Sequence, residues 1–341
     1  MSRTHGLSGH EAQTVPAASP LALVGLRTSP GAVPKAVRQT EWIIFAFFAY
    51  APLLTFLLPT PPGLRTRLAL LNFTVILTYA GVVCLSYTKP RLALEVARDW
   101  LPLGLILVAY REMGWFALPH QGHSIESRWV VWDRLVLHHG GRAVIEFLGP
   151  VLPSILEISY ALVYALPPAA LAAVYFFGGR DRADRFLTVL LLSVLLCYAQ
   201  FPFWPSEPPR AVFFGQDLPS FDTALRRFNL WMLGNYGIHT SVFPSAHVAG
   251  ALSSAFGLRL AIPRRKWVFR IFFTAAVLIA VSTVYGRYHY LADAMCGAAV
   301  ASLVAVLCEQ RKRVPVARCE EISKSHAASR DVPGRLDRLA S

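Results

Sequence analysis

The stretch RFLTVLLLSVLLCYAQFPF, residues 185–203, carries a single charged side chain, at its first position. A helix needs about 20 mostly apolar residues to cross the hydrocarbon core of a bilayer, and this stretch is long enough. The whole chain is 55% hydrophobic and 16% charged, whereas soluble proteins carry about 25% charged residues. This composition excludes a disordered chain, a disulfide-stapled secreted domain and a fibrous repeat, and it predicts an integral membrane protein.

Eight segments in all come close to the length of a membrane span. They cover roughly residues 42–59, 68–87, 100–118, 151–176, 185–203, 242–262, 268–285 and 289–308. The third ends at a charged pair and the fourth contains three prolines and a glutamate, so we expect both to face protein or a polar cavity. The pattern therefore predicts an all-α, polytopic membrane bundle of about eight transmembrane helices.

The distribution of Lys and Arg predicts the orientation of these helices. With a cytoplasmic N-terminus, the basic runs 264–266 and 311–313 fall on the inner side, as the positive-inside rule requires. We predict a plasma-membrane protein with two cytoplasmic tails, a disordered one over residues 1–40 and a basic one over 309–341. The net charge of +13 is attributed to contact with lipid head groups, and no nucleic-acid partner is expected.

Three stretches combine polar side chains with the predicted outer ends of spans. The first is FPFWPSEPPR, which ends at Arg210; the second is VFPSAH, which opens the sixth span with Ser245 and His247. The third is STVYGRYHYLAD, in which His289 and Asp293 are four residues apart and share one helix face. An aspartate there can bond one ring nitrogen of the histidine and leave the other free as a nucleophile or base.

Together these stretches predict a phosphate site on the outer face. Arginine forks and the free N–H groups of a helix N-terminus bind phosphate oxygens. One histidine can attack phosphorus while the other protonates the leaving oxygen. The five cysteines form no C-x-x-C pair, and no Cys, His or carboxylate spacing indicates a metal, so we expect neither a metal nor a cofactor.

These motifs resemble those of the type 2 phosphatidic acid phosphatase superfamily, and within it the branch of the inositol-phosphorylceramide synthases. The family motif P-S-G-H is matched by residues 244–247 with Ala246 in place of Gly, and S-R-x5-H-x3-D by residues 282–293 with Thr283 in place of Arg. The motif K-x6-R-P is matched only at Arg210, since Phe203 and Ala211 replace its Lys and Pro. The Pro-Pro-Arg ending is similar to the synthase branch.

The resemblance implies a six-helix phosphatase core, here residues 99–308, preceded by two additional helices in residues 41–98. It also implies that His289 is a nucleophile forming a phosphohistidine, that Asp293 orients it, and that His247 protonates the leaving alkoxide. Arg210 and Ser245 would hold the phosphate. Arg287 is the candidate that replaces part of the missing cationic clamp, and Arg226 and Arg227 are weaker candidates.

The segment 123–148 is predicted to be an interfacial amphipathic helix of the core. As a cap over the site, it would offer Asp133, Arg134 and His138 to the substrate. The alternative is an interfacial brace that does not touch the substrate.

The predicted function is a lipid phosphatase or phosphotransferase. A phosphoryl or phospho-head group would move from a membrane lipid phosphate or phospholipid to water or to a polyol such as inositol. The alternative is a non-catalytic lipid or anion transporter with a basic pocket on the outer face. A serine protease using Ser245 is disfavoured because the G-x-S-x-G context of such nucleophiles is absent.

Overall fold

The computed structural model describes residues 37–116, 122–238, 240 and 242–311, and every regular element in these ranges is helical. The helices of 11 or more residues are α1 (Gln39–Leu57), α2 (Leu64–Thr88), α3 (Leu92–Gly114), α4 (Ser124–Val136), α6 (Val151–Ala161), α7 (Leu166–Gly178), α8 (Ala183–Gln200), α10 (Ala224–Tyr236), α11 (Ala246–Ala261), α12 (Lys266–Tyr285) and α13 (Leu291–Gln310). Two short α-helices, α5 (Arg142–Glu146) and α9 (Pro209–Val212), lie between them. Single turns of other helix types occupy Leu137–Gly141, Leu162–Tyr164, Arg180–Arg182 and Phe201–Phe203. The all-helical prediction is confirmed.

Five helical segments are long and apolar enough to cross a membrane: α1, α2, Arg180–Phe203, α12 and α13. A sixth candidate is a bent pair, Ser124–Glu146 with Val151–Tyr164, whose halves meet at 105°. Length and composition thus support five or six spans, fewer than the eight predicted.

The three remaining predicted spans are helices that fail this criterion for identifiable reasons. Helix α3 carries five charged residues, and α11 is only 16 residues long. The fourth predicted span is divided into α6 and α7 by the turn Leu162–Tyr164. The predicted boundary at residue 98 falls inside α3, which packs against both α2 and α8. The predicted tails lie almost entirely outside the described residues.

The buried charged residues of α3 have polar partners inside the bundle. Arg98 donates to Glu41 of α1, and Asp99 accepts from Arg38 and from the Tyr175 hydroxyl. Near the other end of α3, the buried Glu112 accepts a hydrogen bond from Asn72 of α2 at 2.8 Å. Because an unpaired charge in an apolar environment is costly, these contacts fix how α1, α2 and α3 meet. Tyr175 belongs to α7, so α3 is also tied to that helix.

Helices α8 and α11 pack against each other in the middle of the bundle. α11 also contacts α7, α12 and α13, while α8 contacts α1, α3 and α13. Alanine, glycine and serine dominate the buried face of α11, from Ala249 to Ala255. Small side chains let helix backbones approach closely, so α11 can be surrounded by four neighbours.

The closest approach joins the starts of α11 and α13. A Cβ atom added to Gly297 would lie 2.3 Å from the backbone oxygen of Ser245, a distance that real side chains do not tolerate. One turn earlier in α13, the carbonyl of Asp293 accepts a hydrogen bond from the Ser245 N–H at 3.0 Å. The sequence motifs at the two helix starts are therefore held side by side by backbone contacts.

We expect Gly297→Ala to destabilise the protein, because the new methyl group meets a backbone atom that cannot rotate away. Overpacking of this kind costs about 1–3 kcal/mol, and the melting temperature in detergent should fall by several degrees. Gly81→Ala in α2 is the matched control, since a Cβ there has nothing within 4 Å and alanine is the better helix former. Equal melting temperatures for the two variants would contradict the close packing.

Candidate active site

Two histidines that are 42 positions apart in the sequence meet at the starts of α11 and α13. His247 is the second residue of α11, and His289 lies in the short turn between α12 and α13. Nδ1 of His247 lies 3.1 Å from Nε2 of His289. The structure therefore brings together the two imidazoles that the motifs singled out, with their ring nitrogens facing each other.

Asp293 contacts the opposite side of the His289 ring. Its Oδ2 atom lies 3.3 Å from Nδ1 of His289 and accepts a hydrogen bond from the Tyr290 N–H at 2.9 Å. The second bond belongs to the capping of α13, where Tyr290 is the N-cap residue and Asp293 is in the first turn. Helix capping thus fixes the carboxylate, which in turn directs Nε2 of His289 toward His247.

Arg210, on the short helix α9, lies beside the two histidines. Its backbone N–H donates to the carbonyl of Arg287 at 3.3 Å, and its Nη1 donates to the carbonyl of Tyr288 at 3.2 Å. The guanidinium is thereby placed at the wall of a cavity that it shares with both histidines. Burial, reinforced by the positive charge of Arg210, lowers the pKa of His289 to about 3. His289 is therefore neutral near pH 7, and its Nε2 lone pair is available.

The cavity beside these residues has a volume of about 350 Å³ and an apolar wall. Side chains from α3, α7, α8 and α11 form most of it, among them Leu103, Leu107, Pro167, Leu190 and Val194. The polar residues on the wall are the two histidines, Arg210 and five tyrosines, Tyr110, Tyr160, Tyr164, Tyr198 and Tyr288. The polar site thus adjoins an apolar chamber between helices.

Ser245 lies next to the site but not on the cavity wall. Its side chain is buried and caps α11, accepting a hydrogen bond from the Val248 N–H at 3.4 Å. The first N–H groups of an α-helix have no partner within the helix, and Ala246 and His247, which carry them, do line the cavity. In this arrangement the backbone groups, and not the Ser245 hydroxyl, face the cavity, which differs from the position expected for Ser245.

Arg287 also differs from the expectation that it belongs to the phosphate clamp. Its Nη1 donates to Oδ2 of Asp133 at 2.6 Å, both side chains are almost completely buried, and neither residue lines the cavity. Of the two weaker candidates, Arg226 pairs with the buried Glu157, and Arg227 pairs with Asp222. Among the residues that the structure describes, Arg210 is the arginine on the cavity wall.

The segment proposed as a cap braces the turn that carries His289. Besides binding Arg287, Asp133 accepts a hydrogen bond from the N–H of Leu291, the first residue of α13. Arg134 and His138 both contact Asp217, at 2.8 Å and 3.1 Å. Although partial burial opposes it, the hydrogen bond and charge of Arg134 hold the pKa of Asp217 below its usual value. None of the three proposed cap residues lines the cavity, so the geometry favours the brace.

Tyrosines near His247 are the site residues that the sequence motifs missed. The Tyr164 hydroxyl lies 3.3 Å from Nε2 of His247. The rings of Tyr160 and Tyr288 stack with centroids 4.1 Å apart, and Tyr160 also contacts the His247 ring. The available signal was the spacing of Tyr160 and Tyr164, one helical turn apart, just before a Pro-Pro pair.

A family model described as the PAP2 superfamily matches residues 133–307, slightly more than half of the chain. The matched range runs from Asp133 to beyond Asp293 and includes Arg210 and both histidines of the cavity. No curated protein and no solved structure matches the chain. The chain belongs to the PAP2 superfamily, and this membership suggests a phosphatase-type lipid enzyme built as a membrane helical bundle.

Proposed function

We propose that the protein is an integral-membrane lipid phosphatase or phosphotransferase that works through a phosphohistidine on His289. The observation that carries this proposal is the facing pair of ring nitrogens on His247 and His289, 3.1 Å apart, at the wall of an apolar cavity that also presents Arg210. This set supplies a nucleophile in His289, an acid in His247, an orienting carboxylate in Asp293 and a phosphate-binding cation in Arg210.

In the first step, Nε2 of His289 attacks phosphorus and forms an N–P bond. The bond between phosphorus and the lipid oxygen breaks, and the departing alkoxide takes the proton from Nδ1 of His247. Burial lowers the pKa of His247 to about 3 as well, so this proton is present only while the negative charge of a bound phosphate lies beside the ring. Asp293 accepts from Nδ1–H of His289 and stabilises the positive charge that develops on its ring. Phosphate binding requires the contact between the two histidines to open, because the phosphorus occupies the space between them.

In the second step, water or an alcohol attacks the phosphohistidine. His247, now neutral, takes the proton of the attacking hydroxyl at Nδ1, and the N–P bond breaks. The His289 lone pair and the protonated His247 are thereby restored. Arg210 and the N–H groups at the start of α11 bind the phosphate oxygens in both steps, which is electrostatic stabilisation at a preorganised site.

A lipid donor is favoured by the cavity that adjoins the histidines. Its wall is apolar apart from tyrosine hydroxyls and the site itself, so it would exclude water from a bound acyl chain. A soluble phosphate ester would gain nothing from such a wall. We further propose that the site opens on the outer face of the plasma membrane with both termini in the cytoplasm, as the loop charges predict.

We propose the acceptor from the sequence resemblance. The Pro-Pro-Arg ending at Arg210 is similar to the inositol-phosphorylceramide synthase branch, which favours transfer to a polyol such as inositol over hydrolysis. The two outcomes differ only in which hydroxyl attacks the phosphohistidine, so the same residues serve both. Adding labelled inositol to the assay and separating labelled inositol phosphate from released inorganic phosphate distinguishes them.

We expect His289→Ala to reduce phosphate release from phosphatidic acid in detergent micelles by at least about a thousandfold, because no N–P bond can form. Wild-type protein quenched during turnover of substrate with labelled phosphate should carry acid-labile label, whereas His289→Ala should carry none. His139→Ala, an exposed histidine of the brace, is the control and should retain full activity. Label that persists in His289→Ala would refute the phosphohistidine.

His247→Ala should lower the rate on phosphatidic acid by about 10²–10⁴-fold, the usual contribution of a general acid. The same variant should lose much less activity on p-nitrophenyl phosphate, since its leaving group departs without a proton. Equal losses on both substrates would contradict the role of His247 as the acid.

Arg210→Gln should raise KM and lower kcat for phosphatidic acid, because the guanidinium binds the phosphate in both ground and transition states. A combined loss in kcat/KM of about 10²–10³-fold is expected for removal of one preorganised donor. The matched control is Arg259→Gln, which removes a half-exposed arginine paired with Glu309 at the far end of α11. Unchanged kcat/KM in Arg210→Gln would show that Arg210 does not bind the phosphate.

A further inference from the structure

His247 has a second polar neighbour on the side of its ring that faces away from His289. The hydroxyl of Tyr164 lies 3.3 Å from Nε2, and the two rings meet edge to face with centroids 5.7 Å apart. Neither the motifs nor the family match assigns a role to this tyrosine. The contact places a titratable hydroxyl on the only ring nitrogen of His247 that the transfer steps do not use.

The position of Tyr164 follows from the break in the fourth predicted span. Helix α6 ends at Ala161, a single tighter turn covers Leu162–Tyr164, and α7 begins at Leu166. Pro167 and Pro168 follow directly; a proline has no N–H to donate and is tolerated in the first turn of a helix. The tighter turn rotates Tyr164 away from the register of a continuous helix and toward the start of α11.

With Asp293 ionised, as the proposed function requires, the hydrogen bonds around the two histidines run in one direction. Asp293 accepts from Nδ1–H of His289, so Nε2 of a neutral His289 must be an acceptor. The contact at 3.1 Å then requires Nδ1–H of His247 to donate, which leaves Nε2 of a neutral His247 as an acceptor. The Tyr164 hydroxyl is within reach to donate to it. A single relay therefore runs from Tyr164 through His247 and His289 to Asp293.

We propose that Tyr164 is a positioning residue for His247, with the role that Asp293 has for His289. This proposal rests on the proposed function, in which His247 gains and loses a proton at Nδ1 in each cycle. In the transfer steps the proton moves at Nδ1, so Nε2 keeps its hydrogen and the Tyr164 hydroxyl accepts from it. In the resting tautomer, with hydrogen on Nδ1, the same hydroxyl donates to Nε2. A carboxylate in this place could not donate to Nε2, so a hydroxyl suits a histidine whose Nε2 is an acceptor at rest and a donor during transfer.

Other groups around His247 do not supply this bond. Besides Tyr164, the titratable or charged groups that face the ring are Tyr160 of α6, His289 and Arg210. Tyr160 contacts the ring with centroids 5.6 Å apart but makes no hydrogen bond to it within the described structure. Arg210 donates to the carbonyl of Tyr288 and cannot accept a proton.

The test is Tyr164→Phe, which removes the hydroxyl and keeps the ring. With phosphatidic acid we expect kcat to fall about 10–100-fold, the usual effect of losing an orienting partner, while KM changes by less than about threefold. The loss should be much smaller with p-nitrophenyl phosphate, which does not need His247 as an acid. The alkaline limb of the kcat profile should move to lower pH, because protonated His247 loses the oxygen that accepts from Nε2–H.

Tyr50→Phe is the matched control, because it also removes one hydroxyl hydrogen bond, from Tyr50 to the Ala199 carbonyl, but in α1 and away from the cavity. It should leave kcat, KM and the pH profile unchanged. If the melting temperature of Tyr164→Phe falls far below that of wild type, the test uses instead a protein with 3,5-difluorotyrosine at position 164. This analogue keeps the shape, has a more acidic hydroxyl and should also shift the alkaline limb.

The outcomes separate this inference from the proposed function. If Tyr164→Phe shows wild-type kcat and pH profile on phosphatidic acid while His289→Ala and His247→Ala are inactive, the role of Tyr164 is refuted and the proposed function stands. Equal losses on phosphatidic acid and p-nitrophenyl phosphate would likewise refute it, since a structural defect affects both substrates. If the histidine variants retain activity, the proposed function itself fails.

Discussion

The contact between the start of α11 and the first turns of α13 is the constraint on which the site depends. Gly297 lets the two backbones approach so closely that a single added methyl group would collide with the Ser245 carbonyl. The hydrogen bond from Ser245 to the Asp293 carbonyl then sets the rotation of one helix start relative to the other. His247 and His289 are each within four residues of this contact, so their separation is determined by backbone packing rather than by flexible side chains.

The proposed phosphate site is poor in cations for its chemistry. Arg287 neutralises the buried Asp133 and thereby ties the brace to the turn carrying His289, so its charge serves the structure of the site and not its ligand. What remains on the cavity wall is Arg210 and the N–H groups at the start of α11. In a cavity lined by apolar side chains, the local dielectric constant is low and each such donor interacts more strongly with an anion than it would in water. Exclusion of water from the cavity can therefore compensate for the Lys and Arg of the family motifs that Phe203 and Thr283 replace.

Sequence reasoning succeeded where the evidence was local and failed where it depended on tertiary pairing. The helical class, the placement of His247 at a helix start and the proximity of His289 to Asp293 follow from short-range patterns, although His289 lies in the turn before α13 and not on the helix itself. Nothing in the sequence indicated that Arg287 would pair with Asp133, 154 positions away. Five of the eight predicted spans meet the criterion of length and composition. Helix α3 does not, because of its charged residues, and the sequence did not indicate that its buried charges pair with neighbouring helices. Tyr164 was overlooked because a tyrosine in an apolar segment reads as a core residue.

The break between α6 and α7 shapes two parts of the proposed site, the cavity wall and the contact with His247. A continuous apolar helix would be the more stable way to cross a membrane, since every backbone group is then paired within the helix. The turn Leu162–Tyr164 and the prolines after it interrupt that pairing. The same interruption turns Tyr164 toward His247 and places Val163, Pro167 and Pro168 on the cavity wall. Irregular backbone within a membrane bundle is tolerated where it lines a cavity, and here one irregularity supplies both part of the apolar cavity wall and the hydroxyl that contacts the proposed acid.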